Sequence, residues 1–327
     1  MLSKLLNLFK KETEKSNTNS VQEIVTETAT QKQSKKKLEI NLDKTDNKPK
    51  NENVVGKEVL GRLETLYGKI KSKTIEQLAE AETNSQFLID QLEYDSTSVA
   101  QAWSGIKHQV YHKMLQKIEE GWSKFVDLTD FNKDGIDLRK EGYRRDEMSH
   151  WLDVTYQEYE VRTLAKAAHR LWDNAQKEDT ITKFSCVSCG SPIPLGKYMF
   201  HSKNIKCEHC SFVNTYSPSQ KVVTARTYAV QWLLDEAAFK QWIEMKQAEY
   251  KARRASDYGN KPDEKLLDEY EQKIYNYWTV FYNTRDQLNP DLASHSSGEL
   301  ASKFEWGIKD IKRYNTHWEP KLFKTNN

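Results

Sequence analysis

Along most of this chain the large apolar residues return every three or four positions, and that stepping admits helices and little else. One seam runs through Val55, Val59, Leu63, Leu66 and Ile70. A second run covers residues 99–125, with Ile106, Val110, Met114 and Ile118 four apart. A third covers 144–176 and carries Trp151, Tyr156, Tyr159, Leu164 and Trp172. After a break, 222–254 and 264–288 follow; in the latter Leu267, Tyr270, Ile274, Tyr277 and Phe281 share one face. The last run, 299–318, has Leu300, Phe304, Ile308 and Ile311, and Ser296 with Glu299 reads as a capping box at its start. The 327 residues include only 12 Gly and 7 Pro, too few turn formers for an all-β chain. No stretch approaches the roughly 18 consecutive apolar residues that would span a membrane. The expected fold class is mainly α, with long helices forming a bundle or helical hairpins. The Trp, Tyr and Phe stripes are read as core, since helical spacing alone explains them.

The N-terminal part is different. Residues 1–57 hold twelve lysines and eight acidic residues, a local charge of +4 in a chain of net charge +2. Residues 12–53 are rich in Lys, Glu, Asn, Thr, Ser and Gln, and bury too little to offset their ordering entropy. A disordered linker is expected there. Before it, Leu2, Leu5, Leu6 and Phe9 fall on one helical face, with Lys4, Lys10 and Lys11 around them. Residues 1–11 are therefore a short amphipathic segment suited to peripheral contact with a membrane surface or to a groove on a partner. The segment is too short and too polar for a secretory signal, so a cytoplasmic location is expected. The remaining organisation reads as a helical region over 54–179, a small module over 180–217, and a second helical region over 218–327 that packs on the first.

All four cysteines lie in that small module, as Cys186-Val-Ser-Cys189-Gly and Cys207-Glu-His-Cys210. Seventeen residues separate the pairs, a spacing that reads as a zinc site. Each two-residue spacer lets a tight turn present both sulfurs to one ion, and two such knuckles complete a tetrahedron of thiolates. Gly190 supplies the positive φ such a turn often needs. The same cysteines would also allow two disulfides in an oxidising compartment, or a redox pair of C-x-x-C motifs. Structural zinc is preferred because nothing suggests secretion. His209 is not expected to be a ligand, since four thiolates fill the shell, and a filled shell leaves no place for a catalytic water.

On Cys186, Cys189, Gly190, Cys207 and Cys210 the segment resembles the zinc-ribbon family. The resemblance implies a small β-hairpin fold closed around zinc, in a structural or recognition role. It covers only a small part of the chain. Between and beside the knuckles lie Lys197, Tyr198, Phe200, Lys203 and Lys206, and basic charge interleaved with aromatics suits single-stranded nucleic acid. The simpler reading is a ribbon covering its own metal core with solvated lysines around it.

Asp130, Asn132, Asp134, the Ile136 carbonyl and Glu141, around Gly135, match and resemble an EF-hand calcium loop. Asp137 departs from the pattern, no second loop pairs with it, and a polar turn between helices explains the same residues. Glu147 and His150 form a single E-x-x-H, and His108 and His112 lie four apart without the glutamate of a metalloprotease helix. There is no P-loop, dinucleotide fingerprint or nucleophile elbow, and no catalytic residue is assigned. The expectation is a non-enzymatic, zinc-binding helical interaction or scaffold protein with a protein partner. A nucleic-acid-binding protein using the ribbon is the alternative, and a metal-dependent enzyme a more distant one.

Overall fold

The computed structural model describes residues 52–91, 96–181, 184–195, 201–255 and 263–322, all within the compact unit Glu52–Asn327. The amphipathic segment 1–11 and the linker up to residue 51 lie outside the described residues. Helix α1 (Glu52–Gln91) opens the described chain. Helix α2 (Ser96–Ile106) continues through a π turn, Lys107–His112, into α3 (Lys113–Leu128). A single turn, α4 (Phe131–Asp134), precedes the 44-residue α5 (Leu138–Ile181). Two short strands follow, β1 (Lys203–Lys206) and β2 (Val213–Tyr216). Helix α6 (Gln220–Thr224) then runs through a second π turn, Ala225–Ala229, into α7 (Val230–Arg254). Helix α8 (Glu264–Leu288), a 3₁₀ turn at Pro290–Leu292 and α9 (Ala293–Lys312) complete the order. Among the described residues the architecture is mainly helical, as the apolar stepping implied, with one small antiparallel sheet.

The first helix outruns its sequence signal. Past Ile70 its buried seam is Thr74, Leu78, Ser85 and Ile89, so two hydroxyl residues occupy core positions. Ser85 Oγ donates to the Ala81 carbonyl at 2.8 Å and accepts from Trp103 Nε1 at 3.0 Å. Satisfied in this way, Ser85 sits among apolar groups at little cost, whereas the Thr74 hydroxyl is buried with no partner among the described residues.

The expected capping box does not form. Helix α9 starts at Ala293, which puts Ser296 inside it. Ser296 and Glu299 instead face α8, where the Arg285 guanidinium donates to Ser296 Oγ at 2.7 Å and pairs with Glu299. A cross-helix cation has taken both side chains away from the helix end.

Four apolar groupings hold the described helices, the smallest being Val59 and Leu63 of α1 with Phe125 of α3. The first joins Ile70, Leu78, Trp103, Ile118 and Leu152 of α1, α2, α3 and α5. The second joins the C-terminal half of α5 to α6, the π turn, α7 and α8, through Trp172, Ala225, Leu234 and Phe281. The third joins Met245, Leu267, Ile274, Phe304 and Ile311 of α7, α8 and α9, with Trp318 from beyond α9.

Helices α5 and α7 run antiparallel. Trp172, late in α5, packs with Val222, just before α7. At the other end Arg254 closes α7 onto the start of α5. Its guanidinium stacks on Tyr143 at 4.1 Å and Tyr250 at 3.9 Å, and donates to the Tyr143 carbonyl at 3.1 Å. At 1.5 Å per residue, 44 residues extend about 66 Å. The cysteine segment therefore lies in sequence between the two arms of a long helical hairpin.

Candidate metal centre

The two cysteine pairs fold into matching turns. In the first, Cys186 N–H donates to the Ser191 carbonyl at 2.8 Å, and Gly190 N–H donates to the Cys186 carbonyl at 2.8 Å. In the second, Cys207 N–H donates to the Phe212 carbonyl at 2.9 Å, and Ser211 N–H to the Cys207 carbonyl at 2.9 Å. The residue after each second cysteine is left-handed, Gly190 at φ 74° and Ser211 at φ 60°. Glycine meets this need without strain, whereas Ser211 carries a Cβ in a conformation that L residues disfavour. It is the one positive-φ residue other than glycine among the described residues.

Each turn is the tip of a hairpin. Strands β1 and β2 flank the second, pairing Lys203 with Tyr216 through Lys206 with Val213. The first is flanked by an isolated bridge between Ser185 and Pro192. In both turns the first cysteine is buried and the second exposed. Cys186 and Cys207 join Ile193, Phe184 and Ile205 in a small apolar grouping, and Phe184 meets Tyr216 edge-on.

All four Sγ atoms lie within 4.8 Å of one another. Cys186 and Cys210 are 3.5 Å apart, and Cys189 and Cys207 are 3.7 Å apart. Four sulfurs at about 2.3 Å from a central ion would be separated by about 3.8 Å, so the donor set fits one tetrahedral metal. The cysteines are not joined as disulfides.

Asn214 fixes the relation of the two knuckles. It is 2% exposed on β2. Its Oδ1 accepts from the Val187 N–H at 2.9 Å, while its Nδ2 donates to the Phe212 carbonyl at 3.1 Å and to Cys186 Sγ at 3.5 Å. One side chain thus ties the first knuckle to the strand leaving the second. Neither Asn214 nor Ser211 stands out in the sequence, because no motif spacing marks a lone Asn or Ser. Alternation along β2, with Asn214 and Tyr216 inward, was the available signal.

The thiols are electrostatically divided. Burial opposes ionisation of Cys186, yet the backbone N–H groups of Cys189 and Ser188 and the Asn214 amide bring it down to about 6. Hydrogen bonds from Ser191 lower Cys189 as well. The Phe212 N–H favours the Cys210 thiolate, but burial and the three other sulfurs push it up to about 11. Four sulfurs this close can all be thiolates only with a cation between them.

The structure places the other candidate residues elsewhere. Of the nucleic-acid candidates, Lys203 pairs with Asp291 at 3.0 Å and Lys206 is exposed at the end of β1. Lys197, Tyr198 and Phe200 lie outside the described residues. The calcium candidates are not gathered at one point. Asp130 caps α4, accepting from Lys133 N–H at 3.3 Å, and Asp134 accepts from Asp130 N–H at 3.1 Å. Ile136 packs with Phe125 in an apolar grouping, Asn132 is exposed, and buried Glu141 accepts from Arg144 at 3.2 Å. Asp137 caps α5 through the Arg139 and Lys140 N–H groups. These acidic residues serve helix ends, and among the described residues only the four cysteines converge as a metal-holding group. His150 stacks on Tyr250 with its ring 5.2 Å away, and Glu147 faces Arg254 at 4.0 Å. His108 and His112 lie ring to ring at 5.1 Å in the first π turn. Comparison of the chain with protein-family models, with curated proteins and with solved structures gives no match.

Proposed function

We propose that Cys186, Cys189, Cys207 and Cys210 hold one structural zinc ion, and that the protein is a non-enzymatic helical scaffold presenting the zinc-closed module to a protein partner. The convergence of four sulfurs within 4.8 Å carries the reading. Zinc is the metal best matched to an all-thiolate tetrahedral shell in a small hairpin module. Four protein ligands leave no open position on the ion, which favours a structural role over a catalytic one. A protein partner is favoured over nucleic acid by what the module exposes. Val187 is 79% exposed, Phe212 47% and Val213 56%, three apolar side chains on or beside the knuckles. Lys203, one of the module's lysines, is paired with Asp291 at 3.0 Å.

Metal analysis of the purified chain tests the first part: one zinc per chain is expected, falling to none when Cys186 and Cys207 are changed to Ser. Iron with a visible charge-transfer band, or no metal at all, would refute it. For the second part, the zinc-loaded chain is used as bait beside a variant with Val187→Ser and Phe212→Ser. Loss of specifically captured proteins in the variant supports the presenting role. Nucleic-acid binding that weakens steeply with salt, with no change in captured proteins, would replace it.

A further inference from the structure

Between α5, α7 and α8, away from the cysteines, lies a cavity of about 290 Å³ lined by both carboxylates and aromatic rings. Glu160 reaches it from α5 and Asp235 from α7, while Trp232, Phe239, Trp242 and Tyr277 form its walls. Two carboxylates facing a space walled by four aromatic rings invite a cation, because both the charges and the electron-rich ring faces attract one.

The two carboxylates are poorly compensated. Neither forms an ion pair among the described residues. Glu160 accepts hydrogen bonds from the Tyr156 hydroxyl at 2.7 Å and from the Gln157 side chain, and Asp235 accepts one from the Gln231 amide at 3.0 Å, all of them neutral donors. Burial raises both carboxyls, and the charge of Glu160 raises Asp235 further. Lys107 is the cation whose field reaches Glu160, and its ammonium lies over the Tyr156 ring at 5.8 Å. Desolvated like charges lining one space are costly, and a fold that keeps them on an open cavity leaves room for the missing positive charge to come from outside. The aromatic wall is preassembled, with Phe239 and Trp242 stacked at 5.6 Å and 12°.

We infer that this cavity is a binding site for a small organic ammonium ion, held by Glu160 and Asp235 through charge and by the aromatic rings through cation–π contact. A divalent metal fits less well. Among the described residues no third Asp, Glu, His or Cys converges here, and ring faces cannot replace the oxygens that calcium or magnesium needs. An alkylated ammonium is weakly hydrated and presents methyl or methylene groups to the rings, matching both halves of the lining.

The test uses the full-length zinc-loaded chain, with tetramethylammonium chloride and putrescine dihydrochloride as probes and sodium chloride at equal ionic strength as reference. Trp232 and Trp242 line the cavity, so tryptophan fluorescence reports occupancy, and calorimetry gives the affinity. Saturable binding of at least one ammonium probe is expected. In E160Q and in D235N it should weaken by about tenfold or more, as expected when one of two desolvated charges is removed. Both substitutions keep side-chain shape and remove a repulsive charge, so both variants should melt no lower than wild type, which separates lost binding from lost folding. A rise in wild-type melting temperature with tetramethylammonium is the second readout. The inference is overturned if neither ammonium binds beyond the sodium reference, if binding is unchanged in both variants, or if calcium chloride binds as well as the ammonium probes.

Discussion

At Ser211 a serine occupies the backbone conformation that glycine occupies at the equivalent place in the other knuckle. The left-handed region costs an ordinary L residue about 1 kcal/mol or more. Ser211→Gly should therefore tighten the module, and the metal should leave more slowly to a competing chelator, by about fivefold for 1 kcal/mol. Gly190→Ala should speed release by a similar factor. Equal release rates for wild type and Ser211→Gly would show that this turn is unstrained. Asn214→Ala removes a side chain that serves Val187, Phe212 and Cys186 together. Asn214 is buried and ties both knuckles, so its loss should cost about 1 kcal/mol or more, and this variant should lose metal at a lower chelator concentration than wild type. Wild-type chelator resistance in Asn214→Ala would remove its structuring role. The cysteines and Gly190 were legible because spacing and backbone freedom dictate them. Asn214 was not, since its role exists only once β2 is paired.

Helices α1 and α5 are joined by a small charged clasp as well as by apolar packing. Glu82 on α1 accepts from Arg162 at 2.6 and 2.8 Å and from Lys166 at 2.9 Å, both on α5. The Arg162 hydrogen bonds lead in bringing the Glu82 carboxyl down to about 2, against the opposing effect of burial. The folded value lies below the unfolded one, so the clasp stabilises fully above the ordinary carboxylate range near pH 4.5 and is lost as pH falls toward 2. Glu82→Gln should cost about 0.5–1 kcal/mol at pH 7, the range for a partly exposed charge network. Urea midpoints at pH 7 and near pH 2 check it, and the gap between wild type and variant should close at the acid end. A gap that stays constant with pH would assign the loss to packing instead. Element boundaries were partly legible. Apolar stepping marked α8 closely, but it stopped short on α1, where Thr74 and Ser85 take core positions. It also misplaced the start of α9, because Ser296 and Glu299 answer to Arg285 across the helix pair. A local motif cannot announce a partner fourteen residues upstream.

Within the compact unit, the described residues comprise a helical body with its own apolar groupings and a small module with almost none beyond its sulfurs. If the proposed zinc is bound, most of the folding free energy of such a module comes from it. Removing the ion with a strong chelator should leave most of the far-ultraviolet helical signal intact, while opening residues 184–217 to a protease added at low dose. Loss of the helical signal together with the metal would show that body and module fold as one. Helical class was legible because periodicity is a property of each segment. The pairing of α5 with α7, and the cavity between them, was not, because aromatic stripes say that a face is buried without saying against what.

The stack of Tyr143, Arg254 and Tyr250 lies at the opposite end of the α5–α7 hairpin from the cysteine segment. Two rods pinned at both extremities cannot slip past each other lengthwise. Any push delivered to the sulfur-bearing tip must then travel as flexure or twist, and it would pass first through the π turn at Ala225–Ala229, where the helical winding is loosest.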